Sequence, residues 1–219
     1  MDYKKITIDY IEGRIEPAVY ETLVEEDSQL YEWIQSILPP GKTYSDWDFE
    51  KKQLVYFPFD IRIFMIMHER IDFGGPKGSL GYHCYIHEMI TKIVSEAFPE
   101  IELNVDRKPQ VLNNLRICAC PDYIGGKEVS ENNILGKLLS DIPMEWSESK
   151  QQKVARERIK EAFHIQGRKR PYWIQSPEWP VCNGNPMIYN KTVRINREYV
   201  QHYFYDEESG EERIVDDFF

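Results

Sequence analysis

The segment Arg168-Lys-Arg-Pro-Tyr-Trp-Ile-Gln-Ser-Pro-Glu-Trp-Pro-Val-Cys-Asn-Gly-Asn-Pro186 divides the chain into two parts with different periodicity. It holds two of the five tryptophans and four of the thirteen prolines. Proline fixes φ and disfavours helix in the residue before it, so we expect a stiff, extended backbone here. We call this segment the strap.

Helical periodicity dominates before the strap. Pro17 suits the first turn of a short helix, and Asp27 or Ser28 suits the cap of the next. Residues 42–57 are aromatic and irregular, which favours a loop with an extended piece. Pro58 can open a helix that is apolar nearly all round and therefore central. Ile8, Ile11 and Ile15 recur at helical spacing and suggest a first short helix before Gly13 and Pro17. The pattern predicts further helices near 18–25, 28–37, 58–71 and 79–98, and two or three more near 108–118, 130–141 and 148–164.

Strand periodicity follows the strap. We expect strands at Met187–Ile195, Tyr199–Tyr205 and Glu211–Phe219, with a hairpin loop at Asp206–Gly210 whose glycine tolerates positive φ. The prediction is an α+β fold, an amino-terminal helical bundle with a small carboxyl-terminal antiparallel β-sheet. Residues 1–166 form the helical region, and residues 167–219 form the strap and hairpin, packed with the helices as one domain.

The net charge of −10 is unevenly placed. Residues 1–50 hold twelve acids and four bases, and residues 198–219 hold eight acids and one base. Such acidity repels nucleic acid and membranes, so we expect neither of them to be a partner. It favours a cationic protein as the partner instead. Plain solubility is an equally open interpretation. The basic run from Lys150 to Arg170 is expected to pair with the acidic segments.

The chain begins without the apolar core of a signal peptide, and it has no apolar run of membrane-spanning length. These features predict a cytoplasmic protein. Its four cysteines do not form a disulfide-dense pattern, so reduced thiols are expected.

His83 and His87 have the helical spacing that lets two imidazoles share a metal. The nearby glutamate follows the second histidine, unlike in the zinc-protease motif. Further ligands would have to come from Cys118, Cys120, His164 or Cys182. We favour histidines flanking an apolar helix face, and we expect no metal, no cofactor, no small-molecule substrate and no enzymatic activity.

Other segments also lack a catalytic pattern. Phe73–Gly78 has glycines and a lysine but not the P-loop spacing, so it predicts a turn. The carboxylate pairs Asp46/Asp48 and Asp216/Asp217 could serve acid–base chemistry only if burial separated their pKa values. Strand alternation places Asp216 and Asp217 on opposite faces, which argues against a pair there.

Within the strap we expect a structural role for Trp173, Gln175, Pro177, Glu178 and Trp179. Large aromatic surfaces and stiff backbone more often close a core than bind a ligand, although an aromatic ligand groove is the alternative. Glu178 is expected to pair with Arg168 or Arg170.

The chain resembles a family of small bacterial proteins, mostly from Firmicutes. The resemblance lies in Ile8-Asp-Tyr-Ile-Glu-Gly-Arg-Ile15, Tyr123-Ile-Gly-Gly126, the strap with Asn183-Gly-Asn-Pro186, and residues 203–211. Relatives with this ending resemble immunity proteins of bacterial toxin systems, including contact-dependent growth inhibition. The resemblance implies a protein that binds a toxin and catalyses nothing, and it supplies no motif of functional residues.

Three functions remain open. The leading hypothesis is an immunity or inhibitor protein that neutralises a cognate protein toxin, possibly a cationic nuclease, through an acidic surface. The expected contacts are Asp206, Glu207, Glu208, Glu211 and Glu212, with Glu21, Glu25, Glu26 and Asp27 as the alternative. The second is a non-catalytic protein-interaction module for another partner, and the third is a metal-dependent enzyme built on His83, His87 and cysteines.

Overall fold

The computed structural model describes residues 1–48, 52–70 and 77–219, apart from the side chains of residues 44–48, 54, 55, 69 and 70. Most of the predicted turn at 73–78 and the side chains of Asp46 and Asp48 therefore lie outside the description. None of the described helices combines the length and the apolar character needed to cross a membrane.

Internal contacts group the chain into two compact units. The first contains Met1–Lys77 and Gly81–Pro109, and the second contains Gly78–Leu80 and Gln110–Phe219. The expected division after residue 166 stays a prediction.

The first unit is mainly helical around one apolar core. Asp27 caps α3 by accepting from the backbone N–H groups of Gln29 and Leu30 at 2.9 and 3.1 Å, as predicted. Tyr10 and Tyr20 stack in the core with their ring centroids 4.0 Å apart. The helices are α1 (Tyr3–Ile11), α2 (Pro17–Glu26), α3 (Ser28–Ser36), α4 (Ile61–Arg70) and α5 (Leu80–Ala97).

A hairpin in this unit corrects the loop expected at 42–57. β1 (Thr43–Asp48) pairs antiparallel with β2 (Gln53–Pro58), and Thr43 lies opposite Pro58. The segment is rich in aromatic and β-branched residues, which suit a strand even without clear alternation.

Because of the same strand pairing, α4 begins later in the sequence than predicted. Pro58 belongs to β2, and Asp60 caps the helix instead, accepting from the N–H groups of Arg62 and Ile63 at 2.8 and 3.0 Å. The helix is also less buried than predicted, because Ile63 and Ile66 are half exposed.

The second unit begins with α6 (Lys108–Ala119), α7 (Lys127–Glu131), α8 (Ile134–Leu139) and α9 (Glu148–Ala162). The single helix expected at 130–141 is broken at Asn133, whose φ is +48°. A left-handed residue cannot continue an α-helix, so α7 and α8 are separate.

The carboxyl-terminal sheet has the strand order β5 (Ile188–Arg194), β6 (Tyr199–Tyr205) and β7 (Glu212–Phe218), all antiparallel. Gly210 closes the β6–β7 connection with a φ of +72°. The α+β class and the helix-rich amino-terminal part are thus confirmed.

The strap ends in a small hairpin that the sequence analysis did not anticipate. β3 (Val181–Cys182) pairs with β4 (Asn185–Pro186), joined by Asn183 and Gly184. Both connecting residues have positive φ, at +50° and +79°. Asn-Gly is the dipeptide that favours such two-residue turns.

Candidate functional site

The β6–β7 turn concentrates acidic side chains at the end of the sheet. Asp206 accepts hydrogen bonds from the backbone N–H and the hydroxyl of Ser209, at 2.7 and 2.6 Å. These bonds hold the pKa of Asp206 below its usual value. Asp206 therefore shapes the turn and stays ionised.

Glu211 is paired within the hairpin. It accepts from Arg213 Nε at 2.7 Å, and this bond lowers the pKa of its carboxyl. Arg213 Nη1 also contacts Glu128 of α7, at 2.9 and 3.0 Å. This arginine joins the hairpin to the helices of the second unit.

The remaining predicted contacts, Glu207, Glu208 and Glu212, are exposed. Within the described part of the chain, no Lys, Arg or His lies within ion-pair distance of them. We call Asp206–Glu212 the acidic turn; three of its five carboxylates are available to a cation from outside.

The inner face of the same sheet carries a buried polar row that the sequence did not reveal. Asp217 accepts from the backbone N–H groups of Ile174 and Gln175 in the strap, the latter at 3.1 Å. Its Oδ2 lies 3.4 Å from His202 Nε2, and His202 Nδ1 lies 2.8 Å from the Thr192 hydroxyl.

Burial lowers the pKa of His202, so the imidazole is neutral at pH 7. A neutral ring donates from Nε2 to Asp217 and accepts from Thr192 at Nδ1. A carboxylate, an imidazole and a hydroxyl in a row also occur in hydrolases. Here both carboxylate oxygens are already bonded to strap amides, so the row fastens the strap to the sheet.

The expected alternation at Asp216 and Asp217 is confirmed by their partners. Asp216 Oδ1 accepts from the Tyr199 hydroxyl at 2.6 Å on the outer face, whereas Asp217 is buried on the inner face. The two carboxylates therefore form no acid–base pair.

A second set of bonds ties the strap to the loop before α7. Trp173 Nε1 donates to the Tyr123 carbonyl at 3.0 Å, and the Trp179 N–H donates to the Gly125 carbonyl at 2.9 Å. Gly126 has a φ of +107°, and a Cβ there would lie 2.8 Å from the Glu178 Cα. The loop at Tyr123–Gly126 and the strap are thus in direct contact.

Glu178 does not pair with Arg168 or Arg170. Its Oε2 accepts from the Lys127 backbone N–H at 3.2 Å, at the start of α7, where the helix dipole favours an anion. Arg170 instead lies over the Tyr123 ring, 5.1 Å from its centroid.

Trp179 lies in the core of the second unit. Its ring packs at right angles to Phe163 and edge-on to Phe204, with centroids 5.2 and 5.3 Å away. Its Nε1 donates to the Met187 carbonyl at 2.8 Å. Gln175 and Glu178 are exposed, and Pro177 lies against Gly125.

Three of the four amino-terminal acids are less available than those of the acidic turn, whereas Glu26 is exposed. Glu21 is 1% exposed and contacts His83 Nδ1 at 2.8 Å, and burial raises its pKa. Glu25 pairs with Lys77, and Asp27 caps α3. Glu21 therefore cannot be a surface contact.

The two helical histidines are directed to different partners. His83 contacts Glu21, and His87 Nε2 lies 3.0 Å from the Ile11 carbonyl. Burial lowers the pKa of His87. Among the residues the structure describes, no three His, Cys, Asp or Glu side chains gather where they could hold a metal ion.

Three of the four cysteines are buried or have a raised pKa. Cys84 and Cys182 are buried, and burial raises the pKa of Cys120 to about 11. A thiol with a raised pKa carries little thiolate at pH 7, so it is a poor nucleophile.

The basic run bonds mostly within its own surroundings. Arg158 pairs with Asp141 and donates to the Leu138 carbonyl, and Arg156 donates to the Cys118 carbonyl. In the described ranges Arg158 is the one member with an ion pair, and its partner Asp141 lies outside the acidic segments. The expected pairing with the acidic segments stays a prediction.

A groove of about 330 Å³ lies between α6 and the start of α9. Polar side chains that line the groove already form hydrogen bonds within the chain. Gln151 donates to the Pro143 carbonyl, and Gln152 donates to the Glu148 carboxylate. It therefore offers few groups to a ligand.

Comparisons with protein-family models, with curated proteins and with solved structures find no significant match to this chain.

Proposed function

We propose that the chain is an immunity or inhibitor protein of the cytoplasm, which binds and neutralises a cognate toxin domain through an acidic surface. The observation that carries the proposal is the acidic turn, where Glu207, Glu208 and Glu212 are exposed without an ion-pair partner among the described residues. Unpaired carboxylates steer a cationic partner toward the sheet and slow its escape.

The partner that fits best is a basic protein such as a nuclease domain. Its cleft must attract phosphates, so its surface is positive and complements this one. Nucleic acid itself and anionic membranes would be repelled by the same carboxylates.

Co-expression with the protein encoded immediately upstream tests the proposal. We expect the two to co-purify and this chain to relieve any toxicity of the upstream protein. A chain that neither forms a complex nor restores growth would contradict the proposal.

A protein-interaction module for a non-toxic partner is the second candidate, because the same surface would serve it. Co-purification without any toxicity of the upstream product would favour that function.

A further inference from the structure

The outer face of the β5–β6–β7 sheet combines aromatic, apolar and acidic side chains. Along β6 the residues Val200, His202 and Phe204 are buried inward, so the alternate residues face outward. The register places outward residues opposite one another in pairs: Tyr199 with Phe218, Gln201 with Asp216, Tyr203 with Ile214, and Tyr205 with Glu212. We call these eight residues the outer sheet face.

Its apolar side chains are about half exposed to solvent in this chain. Ile214 is 54% exposed and Phe218 is 57% exposed. Single exposed apolar residues are ordinary on protein surfaces. Here two of them lie on the same face of β7, on either side of Asp216, and beside three tyrosines of β6. Such a patch is typical of the centre of a protein interface.

Hydrogen bonds already order the polar groups of this face. The Tyr199 hydroxyl and Gln201 Nε2 both donate to Asp216 Oδ1, at 2.6 and 3.0 Å. The Tyr203 hydroxyl donates to Gln201 Oε1 at 3.0 Å. Side chains that are ordered before binding lose less conformational entropy on binding.

Charge determines the kind of partner. Lys191 of β5 lies opposite Tyr203, with its Nζ 4.9 Å from the centroid of that ring. The carboxylates of Asp216 and Glu212 outnumber this cation, and the face continues into the acidic turn through the Tyr205–Glu212 pair. A second copy of this chain would bring the same negative charges into contact, which opposes self-association. A partner with lysines and arginines around an apolar patch would satisfy both features.

We propose that the outer sheet face is the binding surface for a basic protein domain, with Tyr203, Ile214 and Phe218 as its apolar centre and the acidic turn as its charged rim. This inference rests on the proposed function, because it names the surface that the toxin would cover. On this proposal, the side chains of β6 and β7 contribute more of the binding affinity than the acidic turn does.

The test uses the upstream-encoded protein as the probe and compares two variants. Ile214→Ser combined with Phe218→Ser removes the exposed apolar groups of the sheet. Ile117→Ser is the matched control, because Ile117 is 61% exposed but lies on α6. Circular dichroism and thermal unfolding verify that both variants fold.

We expect the double variant to raise the dissociation constant by at least about tenfold, mainly through faster dissociation, and the control to leave it unchanged. A Glu207→Gln, Glu208→Gln, Glu212→Gln variant should mainly slow association. A wild-type complex that is insensitive to the double variant would overturn this inference while the proposed function stands.

The absence of any wild-type complex would overturn both the inference and the proposed function. Light scattering of the free chain completes the test. A dimer that the double variant dissolves would assign the face to self-association and would also contradict the inference.

Discussion

At the scale of single residues, Asp217 connects distant parts of the sequence. Its carboxylate joins the strap amides at Ile174 and Gln175 to His202 in β6. Its neighbour Asp216 belongs to the outer sheet face. Adjacent acids of the same type therefore have different roles, one in folding and one at the proposed interface.

We expect Asp217→Asn to lower the free energy of unfolding by about 2 kcal/mol. The two carboxylate oxygens each accept from a backbone N–H group, and the amide puts an NH2 donor in place of one of these oxygens. Asp216→Asn is the control and should change it by less than about 0.5 kcal/mol. Urea unfolding of the two variants measures both. Equal effects would contradict the assigned role of Asp217.

His202 and His87 make stability depend on pH. Burial lowers the pKa of both below the ordinary value, so the unfolded chain takes up protons at a higher pH than the folded one. Stability is full above the unfolded pKa and is lost as the pH falls from about 6.5 toward the folded pKa values.

We expect the free energy of unfolding to fall between about pH 7 and pH 5, and His202→Gln to remove part of that slope. NMR titration of the His202 ring gives the same information without a variant. A ring that titrates at or above the ordinary histidine pKa would contradict this reasoning.

At the scale of elements, the strap organises the second unit. One of its tryptophans enters the core, the other donates to the loop before α7, and its backbone is held by β7. Its final residues turn back as the β3–β4 hairpin. These contacts favour a structural role over a ligand groove.

Replacing Trp179 with alanine tests that role. Trp179 is 2% exposed, so we expect a loss of about 3–5 kcal/mol or a failure to fold. Tyr172→Ala, also in the strap but at a residue 76% exposed, should change stability by less than about 0.5 kcal/mol. A folded Trp179→Ala variant that binds poorly would instead indicate direct recognition.

Local patterns were sufficient to predict most elements. Apolar periodicity located most of the helices, the Asp27 cap was correct, and alternation placed β6 and β7. The errors have two causes. Pro58 joins a strand because it pairs with the distant Thr43, and Asn133 breaks a helix by its own left-handed conformation. The Asn183-Gly184 turn is also marked in the sequence, because Asn-Gly favours two-residue turns.

The polar contacts were harder to predict than the elements. Strand alternation separates Asp216 from Asp217, but it cannot show that the strap supplies the partners of Asp217. Likewise, helical spacing relates His83 to His87, but not to Glu21 in α2. The outer sheet face requires the register between β6 and β7, which a single strand pattern does not supply.

At the scale of the whole molecule, the net charge of −10 is the property on which the proposed function depends most. The carboxyl-terminal acids are presented on an ordered sheet, where the acidic turn and the outer sheet face are continuous. In the proposed complex, long-range attraction would set the rate of encounter, and apolar contact would set the lifetime.

The most direct test of this account is the association rate constant of the chain with the upstream-encoded protein, measured by stopped flow at low and high salt. We expect a rate that falls at least about tenfold as ionic strength rises from about 0.02 to 0.5 M, and less steeply for the Glu207→Gln, Glu208→Gln, Glu212→Gln variant. Two results would contradict the claim that this chain acts through a negatively charged protein-binding surface. One is no association, and the other is an association rate that does not depend on salt for either the wild type or the variant.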